Sequence, residues 1–116
     1  MAERYTVHMT RSITTDPRLQ AAIDRIVAKF HPDRVMLFGS RARGDMREDS
    51  DYDLLVVLPQ IRDKWSETVA VFRELGSLPI SKDIVLATPE EVDRGGFLGS
   101  VLRSALREGI VVYERP

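Results

Sequence analysis

Two clusters of residues in this chain have the types and the spacing to do chemistry. One is Gly39-Ser40-Arg41-Ala42-Arg43-Gly44 and the other is Ser50-Asp51-Tyr52-Asp53-Leu54, with ten residues between Ser40 and Asp51. In a strand, residues i and i+2 point to the same face, about 6.5–7 Å apart. Asp51 and Asp53 so placed can converge on a hard cation, because hard cations prefer oxygen ligands. Mg²⁺ commonly takes one or two carboxylates and completes its shell with substrate phosphates and water. Leu55 and Val57 continue the same face into an apolar run. The acids therefore stand at the exposed end of an otherwise buried strand. An isolated Asp-x-Asp is common at solvated strand ends, and this one gains weight from what precedes it.

Gly39 lets the backbone turn sharply after an apolar segment. Ser40 offers a hydroxyl and a backbone N–H to a phosphate. If residues 40–43 begin a helical turn, their free N–H groups add an anion site. Arg41 and Arg43 supply guanidinium forks that suit phosphate oxygens. The Gly-Lys-Ser/Thr ending of a Walker A loop is absent. A phosphate-cradling turn beside metal acids describes phosphoryl or nucleotidyl transfer. Two metal ions about 3.5–4 Å apart can hold the attacking and leaving oxygens in line. Such a site often needs a further carboxylate on an adjacent strand. Asp83 opens the apolar run Asp83-Ile-Val-Leu-Ala87 and is the best candidate. It could bind metal and accept a proton from an incoming hydroxyl. Asp45 and Asp49, also in the loop, are expected to face solvent.

With these residues in view, the chain resembles the minimal nucleotidyltransferases of the DNA polymerase β-like superfamily. The resemblance rests on the Gly39–Gly44 run, the Ser50–Leu54 run and the later Asp83. Element order matches from about Asp16 to the end. Tyr52 stands where an aliphatic residue is frequent, and residues 1–15 lie outside the family pattern. The resemblance implies ATP as substrate, Mg²⁺ as cofactor, transfer of AMP and release of pyrophosphate. It implies metal and catalytic roles for Asp51, Asp53 and Asp83, and nucleotide binding by Gly39, Ser40, Arg41 and Arg43. Many such short proteins are similar to antitoxins paired with a helical HEPN toxin, and some add AMP to a toxin tyrosine. Two alternatives remain open: an antitoxin that acts by contact alone, and a transferase for a small hydroxyl compound.

The elements that must position these residues follow from patterning. Thr15-Asp16-Pro17 is a helix start, and Leu19, Ala22, Ile23, Ile26, Val27 and Phe30 share one helical face. Pro32 ends that helix. Strands are expected at 34–38, 51–58, 83–87 and 110–113. Helices are expected over 62–75, with Trp65, Val69, Phe72 and Leu75 on the buried side, and over 97–107, packed on the sheet. Between them Thr88-Pro89-Glu90-Glu91 reads as a capping box, and Gly95-Gly96 as a break. The fold class is α/β or α+β, a small mixed sheet flanked by helices. Residues 1–15 read as an extension and 16–116 as one nucleotidyltransferase domain.

Composition narrows the classes. The 116 residues suit one domain and leave no room for a second lobe, so an acceptor site is expected from another copy or a different protein. With no cysteine, disulfides, thiolate metal sites and cysteine nucleophiles are excluded. A formal net charge of −1 disfavours direct nucleic-acid binding. No apolar run reaches a membrane span or a signal peptide, so a cytoplasmic protein without a membrane partner is expected. His8 and His31 lack metal-ligand spacing and read as surface or structural residues. Lys82 should point to the strand face opposite Asp83. Arg103 and Arg107 read as solvated.

Overall fold

The computed structural model describes residues 16–94 and 100–116. Helix α1 spans Pro17–Phe30. Asp16 caps it, with Oδ1 accepting from the N–H of Arg18 at 2.9 Å and of Leu19 at 3.4 Å. Pro17 occupies the first turn, where its missing N–H costs nothing. The helix ends at His31, which takes the left-handed conformation at φ 50°. His31 is thus a helix terminator, in line with the structural role its isolation suggests.

Strand β1 is Arg34–Phe38, and the short helix α2 is Ser40–Arg43. Strand β2 is Tyr52–Val57, helix α3 Lys64–Glu74 and strand β3 Lys82–Ala87. Helix α4 is Pro89–Asp93, α5 is Ser100–Glu108 and strand β4 is Ile110–Glu114. The strands form a four-stranded sheet in the order β3-β2-β1-β4. Strand β1 runs antiparallel to β2 and β4, while β2 runs parallel to β3. The sheet is therefore mixed, as two strands in a row followed by helical crossovers predict.

Period-2 alternation divides the apolar residues between two faces. On one, Val35, Leu37, Tyr52, Leu54, Val56, Ile84 and Leu86 pack with Leu19, Ile23 and Ile26 of α1 and Val71 of α3. On the other, Met36, Phe38, Leu55, Val57 and Ala87 pack with Leu102 and Ala105 of α5. Fully burying one such aliphatic side chain contributes roughly 1.5–3 kcal/mol. The strands are thus anchored on both sides, and their ends are rigid supports for whatever they carry. Thr88 and Glu91 form the expected capping box at α4.

The structure corrects one core assignment. Trp65 is 77% exposed, whereas Val71 and Leu75 are buried. At 100° per residue, Trp65 lies about 120° around the helix from Val71. The buried stripe runs through Val71 and Leu75 with Phe72 beside it, and Trp65 faces outward from the first turn. The packed helix expected over 97–107 is α5; residues 97–99 and the Gly95-Gly96 break lie outside the described residues, as do residues 1–15 with His8.

Candidate active site

Strand register brings the two chemical clusters to one end of the sheet. Asp53 stands opposite Phe38 on β1 and beside Asp83 on β3. Gly39 follows Phe38 directly, so the glycine turn lies against the acids. Gly39 has φ 76° and ψ −157°, a region essentially reserved for glycine. A Cβ there would overlap Asp53 Oδ2 and lie 3.0 Å from its Cγ. Glycine is required twice, once by the dihedral and once by the carboxylate resting on it.

The turn that follows is helical. The N–H groups of Ala42 and Arg43 both donate to the Gly39 carbonyl at 3.0 Å. The amides of Ser40 and Arg41 precede these bonds and have no carbonyl inside the turn to reach. Gly44, at φ 88°, closes it with a left-handed cap. Ser40 is half-buried and Arg43 is exposed.

Asp53 and Asp83 point to the face that carries Leu55, Val57 and Ala87. Burial pushes the Asp53 carboxyl above its usual range, and the charges of Asp83 and Asp51 push it further; Arg43 pulls the other way. Asp51 is exposed, just ahead of β2. Asp45 and Asp49 are exposed in the loop, as expected. Lys82 lies on the opposite face, with Nζ donating to the Ile80 carbonyl at 3.3 Å.

The two arginines occupy different positions. Arg43 donates from Nη1 to Glu108 Oε1 at 3.1 Å, and its Nε lies 3.4 Å from Asp45 Oδ2. Its charge still acts on Asp53. Arg41 turns inward: Nε and Nη2 donate to the Ser50 carbonyl at 3.1 and 3.0 Å, and Nη2 donates to the Glu48 carbonyl at 3.0 Å. Its guanidinium lies 3.9 Å from the centroid of the Tyr52 ring.

The donor set suits a hard divalent cation: adjacent carboxylates on rigid strands, with the rest of the shell open to phosphate and water. Among the described residues, no three His, Asp or Glu side chains are drawn together tightly enough to hold an ion unaided. Sequence reasoning missed two contacts. The Tyr52 hydroxyl donates to Asp16 Oδ2, and Glu108 pairs with Arg43; they join residues 36 and 65 positions apart. No local pattern reports such distances.

A match to the family model described as Polymerase beta, Nucleotidyltransferase covers residues 21–116. The chain belongs to this nucleotidyltransferase family. The domain is accordingly a nucleotidyltransferase, and its clustered acids lie at the strand ends inside the matched region. A candidate nucleotidyltransferase from Sulfolobus solfataricus shares the fold at TM-score 0.62 and 20% identity, over 98% of this chain and 87% of that one. A toxin–antitoxin structure with AMP-PNP aligns at TM-score 0.52 and 18% identity, over 82% of this chain and 73% of that one. No curated protein matches the sequence. Among the described residues, no helix of this nucleotidyltransferase is long and apolar enough to cross a membrane.

Proposed function

We propose that this nucleotidyltransferase moves AMP from ATP to a hydroxyl group, a tyrosine of a helical HEPN-type toxin partner, in an antitoxin role. The observation that carries the reading is the placement of Asp53 beside Asp83 in register, with the Asp53 carboxylate resting on Gly39. The toxin–antitoxin of the same fold holds AMP-PNP, which supports ATP as donor and a toxin as partner.

Asp51, Asp53 and Asp83 would hold magnesium, with two ions expected. It would supply polarisation of the phosphate oxygens and neutralisation of the charge that develops on them. The turn does the rest of the binding. Ser40 and the leading amides of α2 bind phosphate oxygens, and Arg43 adds positive charge beside them. The acceptor oxygen attacks the α-phosphorus and a new P–O bond forms. The bond from that phosphorus to the bridging oxygen breaks, and pyrophosphate leaves with its electron pair. Asp83 takes the acceptor's proton.

The test is to incubate the full chain with α-phosphate-labelled ATP, Mg²⁺ and a purified helical HEPN-type toxin. Label on a partner tyrosine with the wild type, and none with Asp53→Asn, is the expected result. No label with either protein overturns the reading. Neutralisation in cells that survives Asp53→Asn would then assign the antitoxin role to contact alone.

A further inference from the structure

The side of β2 opposite the acids carries a chain of contacts that leads back to them. Tyr52 sits between Asp51 and Asp53 and points the other way, with only 2% of its surface exposed. Its hydroxyl donates to Oδ2 of Asp16, whose Oδ1 caps α1. Arg41 lies over its ring, 3.9 Å from the centroid. The same guanidinium bonds the Ser50 carbonyl through two nitrogens and the Glu48 carbonyl through one. Ser50 forms the peptide bond to Asp51. The contacts therefore run from the α1 cap through the Tyr52 ring and Arg41 to the peptide that carries the first acid.

Arg41 also belongs to α2, the turn that follows Gly39. It consequently ties the turn to the loop that delivers Asp51. Asp51 stands outside β2, and the Tyr52 N–H, bonded to the Ser81 carbonyl at 2.8 Å, holds only its far side. We propose that Arg41, Tyr52 and Asp16 are positioning residues that set the separation between the phosphate-binding turn and the acids. This rests on the AMP-transfer reading for its kinetic consequence, though not for its structural one. It also gives Arg41 a role different from the phosphate fork its spacing suggests. Its planar head is used against an aromatic face and the carbonyls of Arg47, Glu48 and Ser50, a task for which lysine is a poor substitute.

Two readouts on the full chain test this: amide hydrogen exchange over residues 45–51, and kcat and KM for ATP in the labelled transfer assay. Arg41→Lys keeps the charge and loses both stack and fork. We expect exchange in the loop to rise about tenfold or more as its local opening becomes easier. kcat should fall on the order of 10²-fold, the scale of a 1 Å misplacement. KM for ATP should stay within about threefold. Tyr52→Leu should reproduce the pattern, Tyr52→Phe should retain more activity, and the Arg41→Lys/Tyr52→Leu pair should be no worse than the worse single change. If Tyr52→Leu fails to fold, Arg41→Lys decides alone.

Unaltered exchange and kcat in Arg41→Lys, with KM raised in Arg41→Ala, would overturn the proposal and make Arg41 a phosphate ligand. A wild type that transfers no AMP refutes the function reading instead. Exchange in Arg41→Lys would still decide the positioning role, faster exchange supporting it and unaltered exchange ending it.

Discussion

The two ends of the sheet treat their charged residues in opposite ways. At one end Arg34 Nε lies 3.8 Å from Glu114 Oε2, and Arg115 Nη2 lies 3.5 Å from Asp33 Oδ1. Both of these acids have a cation. At the other end Asp53 and Asp83 stand beside each other in register, and among the described residues neither forms an ion pair. Burial first, and then the like charges of Asp83 and Asp51, raise the Asp53 carboxyl instead of settling it. A fold selected for stability alone would balance both ends. The unbalanced end is where the fold leaves negative charge for something else to neutralise, which is what a metal–phosphate site requires.

The comparison breaks most directly at Asp53. Asp53→Asn should reduce AMP transfer on the order of 10²–10³-fold, the scale of losing a preorganised charge. The same change should leave the melting temperature equal or higher, because it relieves repulsion. The pH dependence follows with its sign. A carboxyl whose folded pKa is raised destabilises the fold above its unfolded value of ~3.9. Thermal stability contributed through Asp53 should therefore improve as pH falls from neutrality through the raised value. Asp53→Asn should remove that acid-side gain, as calorimetry without metal would read. A loss of stability in Asp53→Asn would show that the acid is structural and erase the contrast between the two ends.

Gly39→Ala is next in size. It forces a Cβ into a glycine-only region and against the Asp53 carboxylate. The expected cost is about 1–3 kcal/mol, a fall of several degrees in melting temperature. Transfer should fall as well, since Asp53 must move. Double substitution with Asp53→Asn would not rescue the dihedral, so most of the stability loss should persist.

These sites were readable in the sequence to different degrees for a physical reason. Gly39, Asp53 and Asp83 announce themselves because a turn and two strand ends are local events, with a fixed period and a fixed breaker. The mixed sheet was legible for the same reason, from strands and caps taken in order. Trp65 was misplaced because a short helix with apolar residues on two stripes does not say which stripe is buried; the answer comes from α1 and β3, distant in sequence. The spacing of Arg41 suggests a phosphate fork, whereas its neighbours are the Tyr52 ring and the Ser50 carbonyl. That choice depends on the path of the loop, which no spacing encodes.

Tyr52→Phe sharpens the contrast from the stabilised side. Burial opposes the charged form of Asp16, but the Tyr52 hydroxyl and the N–H groups of Arg18 and Leu19 outweigh it and hold the carboxyl below its usual range. A depressed carboxyl stabilises the fold above its unfolded value of ~3.9, and that stability is lost as pH falls through the folded one. Removing the hydroxyl should cost about 0.5–1.5 kcal/mol near neutrality, the net worth of one hydrogen bond. It should also flatten the acid limb of a stability–pH curve, opposite in sign to Asp53→Asn.

The smallest effect belongs to the balanced end. Arg34 and Glu114 face each other across β1 and β4, with side chains 36% and 47% exposed. Exposed pairs of this kind are worth about 0.2–1 kcal/mol at most and are screened by salt. A double-mutant cycle of Arg34→Ala and Glu114→Ala should return a coupling in that range at low salt, vanishing near ~1 M. AMP transfer should be unaffected in all three variants. The pair lies at the end of the sheet away from Asp53, because β1 begins with Arg34 and reaches Asp53 only at Phe38. A transfer defect in Glu114→Ala would mean that the two ends communicate through β1. The neutral end would then be part of the machinery, and its balance of charge a functional feature in its own right.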